Sequence, residues 1–303
     1  MTESKLIVRL KGGLGNQLFC YATGRRLALK SGAELVLDDV TGFKFDYQYK
    51  RQYALGAFNI PARRATARER LEPFGRVRRF LMRKASERLP LGRRRYIIQS
   101  GVEFDEALLS LKLQPGMTYF DGFGQSERYF ADAEDTIRDD LKIRPPGDAQ
   151  NQALSRKIQS VNAVALHVRW FDSDERPSAL NMSFAYYQGA IKMIKEKVAD
   201  PHFFIFSDNT RRTAELLEPM MSGAQHSFVD HNLAIDDASA DLWLMSMCKR
   251  FVIGNSTFAW WGAWLGEQKG FSTVIAPAMN IDPQHNVTAW GFQYLLPSRW
   301  LTI

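Results

Sequence analysis

Cysteine is nearly missing from this chain: Cys20 and Cys248 are the two among 303 residues, with no CxxC spacing. A disulfide framework is therefore excluded, and a reducing compartment, the cytoplasm, is the expected setting. No apolar run approaches the roughly 20 residues that cross a bilayer. The opening segment reads as having no signal-peptide core, because Arg9 and Lys11 break its apolar stretch. The histidines at 167, 202, 226, 231 and 285 form no HxxxH pattern, so no metal site of that type is expected. There is no GxSxG, and neither cysteine has a motif histidine, which removes the familiar acyl-transfer nucleophiles. Internal repeats and low-complexity tracts are lacking too.

What is present is the composition of a soluble globular protein, 45% hydrophobic and 24% charged, at a length that suits about two domains. The net charge of +7 is unevenly placed. Residues 61–95 hold 13 Lys and Arg against Glu69, Glu72 and Glu87, a local charge of +10. Leu71, Phe74, Val77, Phe80, Leu81 and Leu89 recur there at nearly helical spacing. Such a basic amphipathic helix suits an anionic membrane surface, or it is a solvated face packed on a domain. No zinc-finger spacing or aromatic nucleotide-binding motif accompanies the arginines, so nucleic acid is not expected as a partner.

The chain opens as a βαβ unit, with strands at 6–10 and 34–38 around a helix at 16–30. A less regular middle holds the basic helix, strands at 96–98 and 117–120, a short helix after Glu103, and a helix at 131–141. Pro145-Pro146-Gly147 stops both helix and strand. It divides an N-terminal domain, 1–146, from a C-terminal one, 147–303, whose last residues are expected to pack back on the first. In the second half, strands at 163–168, 202–206, 227–229, 251–253 and 273–276 alternate with helices at 184–198, 211–220, 238–248 and 258–266. Alternation of this kind predicts an α/β fold with parallel sheets, here two domains facing a cleft. Ligands bind such sheets beyond the carboxyl ends of the strands. His167, Arg169, Ser207, Asp208, Asp230, Asn255, Ser256 and Thr257 fall at those ends.

Four motifs carry chemistry. Gly12-Gly13-Leu14-Gly15-Asn16-Gln17 joins a strand to a helix start, where free N–H groups favour an anion. Leu18 stands where GxGxxG needs its third glycine, yet Asp38 as a ribose-binding acid keeps a dehydrogenase open. His167 and Arg169, two apart in a strand, share a face, and a guanidinium there can clamp a diphosphate. Asp172-Ser173-Asp174 matches the DxD pattern of metal-dependent nucleotide-sugar enzymes, a pattern short enough to arise by chance. Finally, Gly254-Asn255-Ser256-Thr257-Phe258 ends a strand and opens a helix, offering caps or a phosphate site, with core tryptophans following.

In this order the segments resemble the α-1,2-fucosyltransferase family, of the bacterial type related to the blood-group H enzymes. They are GGLGNQLFCYATGRRLA at 12–28, HVRWFD at 167–172, FSDN at 206–209 and LMSMCKRFVIGNSTFAWWGAWL at 244–265. The resemblance implies a GT-B fold with GDP-fucose held mainly by the C-terminal domain. It implies inverting transfer of L-fucose to the 2-hydroxyl of a terminal galactose, without an obligatory metal or other cofactor. Gly13, Gly15, Asn16 and Gln17 match the family's Gly-rich loop; His167, Arg169 and Asp172 match its H-x-R-R-x-D motif as the catalytic set. Asn255, Ser256, Thr257 and Phe258 match its second donor loop, with Ser207 and Asp208 beside them. Trp170 replaces the usual second arginine, and relatives that fucosylate protein hydroxyls manage with one there; Trp170→Arg, which restores the family pattern, is expected to hold or raise activity. His167 suits positioning of guanine or phosphate better than proton abstraction, which leaves Asp172 as the nameable base. The implied partners are GDP-fucose and a β-galactosyl-terminated oligosaccharide, lipid-linked if the enzyme works peripherally at the inner face of the membrane through 61–95. The alternatives are a same-fold transferase using another GDP-deoxysugar or linkage, and a non-catalytic glycan-binding homologue.

Overall fold

Two all-parallel sheets organise the chain. The computed structural model describes residues 4–99, 101, 103–171, 180–233, 237–278 and 294–303. The chain divides into two units, Met1–Lys142 with Gln293–Leu295, and Ile143–Phe292 with Leu296–Ile303. The division falls just ahead of the Pro145-Pro146-Gly147 stop.

In unit 1, β1 (Ser4–Arg9), α1 (Leu14–Ser31) and β2 (Glu34–Asp38) form the opening βαβ. They are followed by β3 (Arg63–Arg64), α2 (Gly75–Glu87), β4 (Tyr96–Ile98), α3 (Ala107–Ser110), β5 (Gly116–Asp121) and α4 (Glu134–Asp140). The strand order is β3-β2-β1-β5-β4. Leu6, Ile7 and Val8 are fully buried, as a central strand covered on both faces requires. Gly32 closes α1 in the left-handed region at φ 58°, which a residue without Cβ adopts freely. The segment expected as one basic region is split: Arg63 and Arg64 sit on the edge strand, and α2 carries the remainder of the helix-forming residues.

In unit 2 the elements are α5 (Ala149–Ser160), β6 (Asn162–Val168), α6 (Phe184–Lys197), β7 (Pro201–Ser207), α7 (Thr210–Met221) and β8 (Gln225–Val229). They continue as α8 (Ala238–Ser246), β9 (Arg250–Val252), α9 (Thr257–Gly266), β10 (Thr273–Ala276) and β11 (Leu301–Thr302), in the order β11-β10-β9-β6-β7-β8. Asp148, Ser183 and Asn209 cap α5, α6 and α7, each accepting a backbone N–H three residues on. Val164, Leu166, Phe203 and Ile205 pack with α6 and α7 as one core. Helix α5 was not visible in the pattern: of its residues Asn151, Ser155 and Ile158 are buried, so two of the inward positions are polar. The C-terminal strand β11 pairs with β10 in this unit.

Candidate active site

Unit 2 changes winding direction between β6 and β9: β7 and β8 follow on one side of β6, β9, β10 and β11 on the other. Ligand crevices open beyond the carboxyl ends of strands at such a point. His167, from β6, is 5% exposed, and its Nδ1 has no hydrogen-bond partner among the described residues. Burial, and then the charge of Arg169, lower its pKa to about 3, so the imidazole is neutral at pH 7. Asn255, beyond β9, is equally buried; its Nδ2 donates to Leu180 O at 2.6 Å, while Oδ1 lacks a partner among the described residues. A buried polar atom left unpaired costs about 1–3 kcal/mol, so these two, at the carboxyl ends of neighbouring strands, make this the candidate donor site.

The surrounding backbone is held firmly. Gly254 N donates to His167 O at 3.1 Å, and the Tyr186 hydroxyl donates to Ile253 O and Ile275 O at 2.5 and 3.2 Å. A Cβ on Gly254 would stand 3.0 Å from the Tyr187 hydroxyl and 3.2 Å from His167 O, so glycine lets the turn pass this close to β6. Ser256 precedes α9 in extended conformation (φ −132°, ψ 128°) and its side chain makes no capping bond. The first-turn N–H groups and positive helix end at Thr257 and Phe258 are thereby left to an anion. Phe258 packs its ring 5.7 Å from that of His167. Trp260, Trp261 and Trp264 are buried in an aromatic cluster with Trp300, which makes them core.

Arg169 follows β6, and its Nη1 pairs with Asp208 Oδ2 at 2.7 Å. Asp208 Oδ1 accepts the Trp170 N–H at 3.1 Å. Ser207 Oγ accepts the Asn209 N–H at 3.1 Å and shares a 2.7 Å hydrogen bond with Thr213 Oγ1. Ser207 and Asp208, expected as donor contacts, also brace the strand ends, and Asp208 aims the guanidinium. Trp170 is locked: its Nε1 donates to Thr213 Oγ1 at 2.9 Å and the Arg212 guanidinium lies 3.9 Å over its ring. An arginine there would lose both contacts and meet a like charge, so the expected gain from Trp170→Arg is withdrawn. Asp172, with Ser173 and Asp174 of the DxD pattern, lies outside the described residues.

Unit 1 treats its glycine-rich loop differently. Gly12 adopts φ +76°, where a Cβ would also run into the Asn16 side chain at 2.6 Å. Gly13 precedes α1 as its N-cap and Gly15 is buried within the first turn. Gln17 is fully buried and its amide is spent on backbone: Nε2 donates to Gly12 O and Gln52 O at 2.9 Å, and Oε1 accepts Ala54 N–H at 2.9 Å. It staples segment 52–54 to the loop, so the expectation that Gln17 contacts the donor gives way to a structural role. Asn16 Oδ1 accepts from Gln125 Nε2 at 2.8 Å. Asp38 is likewise consumed, accepting from Thr41 N, Thr41 Oγ1 and the Tyr119 hydroxyl at 2.9, 2.5 and 2.8 Å. A ribose finds no open acceptor there, and the dehydrogenase reading fails. Beside the loop, Asp121 accepts from Arg9, Lys11 and the Tyr96 hydroxyl; burial pushes its carboxyl up, and the two cations with these hydrogen bonds outweigh it and hold it below the usual range.

One polar cluster had no signature in the sequence. Asn151 of the unforeseen α5 bonds Asn232 and His231, and Asn232 Nδ2 donates to Asp241 Oδ1 at 2.7 Å. Burial pushes the Asp241 carboxyl up to about 6. Arg144, Asp148, Asn151, His231 and Asn232 line a cavity of about 400 Å³. Its residues come from two stretches about 80 residues apart in the chain, 144–151 and 231–240, a juxtaposition that spacing alone does not reveal.

Residues 5–289 match the family described as Glycosyl transferase family 11. The chain belongs to that family. It is 30% identical over 285 residues to the "Alpha-1,2-colitosyltransferase" of Escherichia coli, covering 90% of this chain and 91% of that protein. It is 29% identical over 288 residues to the E. coli "O-antigen biosynthesis glycosyltransferase WbnK", covering 84% and 88%. Among solved structures it is similar to an Arabidopsis thaliana FUT1 variant in complex with GDP, with TM-score 0.53, 14% identity, and 90% and 71% of the two chains covered. It is similar also to the fucosyltransferase NodZ from Bradyrhizobium, with TM-score 0.50, 16% identity, and 86% and 92% covered. The fold is α/β of the GT-B type, and the protein is a glycosyltransferase. Among the described residues no helix is long and apolar enough to cross a membrane.

Proposed function

We propose that this glycosyltransferase moves L-fucose from GDP-fucose to the 2-hydroxyl of a terminal galactose on a glycan, inverting the anomeric centre. The observation that carries the donor half is the pair of buried atoms without a partner among the described residues, His167 Nδ1 and Asn255 Oδ1, at the winding switch of unit 2. A GDP complex of the FUT1 neighbour agrees with a GDP-sugar donor. Asn255, Ser256, Thr257 and Phe258 then receive the nucleotide beside a helix N-terminus. Gly13, Gly15 and Asn16 belong to the acceptor-side unit.

As the C1–oxygen bond to the β-phosphate breaks, its electron pair goes to GDP and the acceptor oxygen bonds C1 from the opposite face. Arg169, aimed by Asp208, and the α9 N–H groups stabilise that growing charge, an effect worth about 3 kcal/mol for one well-placed donor. No metal is assigned a part. The acceptor proton passes to a carboxylate, for which Asp172 is named, to water or to the departing phosphate. Neutral His167 orients the nucleotide and is too weak a base to take that proton.

A second reading, transfer of another GDP-deoxysugar, is favoured by the relative named as a colitosyltransferase. Colitose is fucose without its 3-hydroxyl, and a site that hydrogen-bonds a hydroxyl rejects the deoxy analogue by about 10⁴-fold. The test is a panel of GDP-sugars against β-galactosyl acceptors, with linkage analysis of the product and a parallel arm in EDTA. Preference for GDP-fucose, an α-1,2 product and turnover unchanged by EDTA support the first reading. Preference for GDP-colitose replaces the sugar, another linkage replaces the acceptor position, and rescue by manganese after EDTA replaces the metal-free mechanism. Absence of both transfer and donor hydrolysis points to a binding homologue.

A further inference from the structure

Helix α2 turns its apolar residues away from its own sheet. Met82 packs on the cluster of Ile7, Val36, Tyr96 and Tyr119, and Ser86 Oγ accepts the N–H groups of Arg95 and Tyr96. Phe74 stands just before the first residue of the helix in left-handed conformation, and Val77 and Leu81, at about 100° per residue, lie well round the helix from Met82 and Ser86. Phe74, Val77 and Leu81 are 76, 57 and 59% exposed. Phe80, half exposed, lies beside them. The helix and the turn after it, 75–95, hold nine Arg and Lys and a single acid, Glu87, which pairs with Lys84 at 2.8 Å. At the start of the helix Arg76 sits 5.4 Å over the ring of Phe45, which, with Tyr47 at its edge, is also exposed.

We infer that α2, with the adjoining Phe45–Tyr47 turn, is a docking surface for a bilayer rich in anionic phospholipid. The apolar stripe supplies the part that enters the acyl boundary, and the flanking cations meet the lipid phosphates. A second copy of the chain fits poorly, because two such faces would set like charge against like charge. Nucleic acid would satisfy the arginines but leave Val77 and Leu81 in water. The surface does not depend on which sugar the enzyme transfers.

The experiment is co-sedimentation of the full chain with vesicles of phosphatidylcholine alone or mixed with phosphatidylglycerol, at low and high salt. Binding at least about tenfold tighter to the anionic vesicles, and lost in high salt, is expected. The triple change Arg78→Gln, Lys84→Gln and Arg88→Gln, and separately Phe74→Ser with Leu81→Ser, should each weaken binding about tenfold or more. Thermal unfolding and turnover on a short soluble acceptor should stay at wild-type values. Should the serine pair fail to fold, Phe74→Trp reports instead: its added emission shifts to the blue on anionic vesicles. Equal binding to both vesicles, binding untouched by the substitutions, or an unshifted tryptophan overturns the inference. So does a dimer that the serine pair dissolves, or RNA binding that anionic vesicles do not displace.

Discussion

The chain contains two glycine-bearing turns that join a buried parallel strand to a helix, and they treat their polar groups in opposite ways. In the loop after β1, Gln17 and its neighbour Asp38 are buried with their polar atoms answered by backbone and hydroxyl partners. In the turn after β9, Asn255 and the adjacent His167 are just as buried, and each keeps one atom without a partner among the described residues. Both turns carry family-like motifs, so motif strength does not separate them. Satisfaction does for these two turns: Gln17 and Asp38 have partners that maintain the fold, and His167 and Asn255 each keep an atom that a ligand can use.

The strongest way to break this comparison is at Arg169, whose guanidinium is about a third exposed and paired with Asp208. Arg169→Ala is expected to lower turnover about a hundredfold or more, since one donor aimed at developing charge contributes about 3 kcal/mol. The melting temperature should barely move, because exposed ion pairs contribute little to stability. Asp208→Asn, which keeps the shape and frees the guanidinium, should cost less. Steady-state kinetics beside thermal unfolding check this; a fall below about tenfold with a normal fold removes Arg169 from the mechanism.

The comparison sharpens with matched alanines. Gln17→Ala should destabilise by about 3 kcal/mol, because Gly12 O, Gln52 O and Ala54 N lose their partner in the interior. Asn255→Ala should cost about 1 kcal/mol of stability, from the lost bond to Leu180 O, but weaken GDP binding about tenfold. Urea denaturation and titration with GDP read the two effects separately. If Asn255→Ala leaves GDP affinity intact while Gln17→Ala lowers it with an unchanged fold, the roles of the two turns are exchanged.

Trp170→Arg probes whether the unit 2 site is braced or merely lined. Removing the Trp170–Thr213 bond and the stack under Arg212 should destabilise by about 1–2 kcal/mol and lower turnover a fewfold. Raised activity in the arginine variant would show that this bracing is dispensable.

Much of this was legible because burial in parallel sheets writes itself into sequence. The run at 163–168 and the GNST turn place His167 and Asn255 at strand ends from sequence alone. What stayed hidden has physical reasons. Helix α5 turns Asn151 and Ser155 inward, so its apolar stripe is too thin to register. The duties of Gln17, Ser207 and Asp208 depend on partners elsewhere in the fold; Gln17 reaches across to 52–54, and no local spacing encodes that. Apolar spacing in α2 predicted a helix correctly, but periodicity does not say whether a stripe faces inward or out.

The finest test concerns the protonation of His167. Its folded pKa, lowered to about 3 by burial first and Arg169 second, lies below the 6.5 of an ordinary histidine. Between those values the unfolded chain binds a proton that the folded chain refuses, so stability is fully present above about pH 6.5 and is lost progressively as the pH falls toward 3. His167→Phe, which keeps an aromatic ring against Phe258, removes this contribution. The variant should therefore lose less stability than the wild type between pH 7 and pH 4, though its GDP affinity drops with the loss of Nδ1. Urea unfolding of both proteins across that range reads the difference, and ring-proton NMR of the wild type reads the titration itself. An imidazole that titrates near 6.5 would carry a proton in part of the molecules near neutral pH, available to the diphosphate as a charge. The unpartnered Nδ1 would then no longer distinguish this turn from the one after β1.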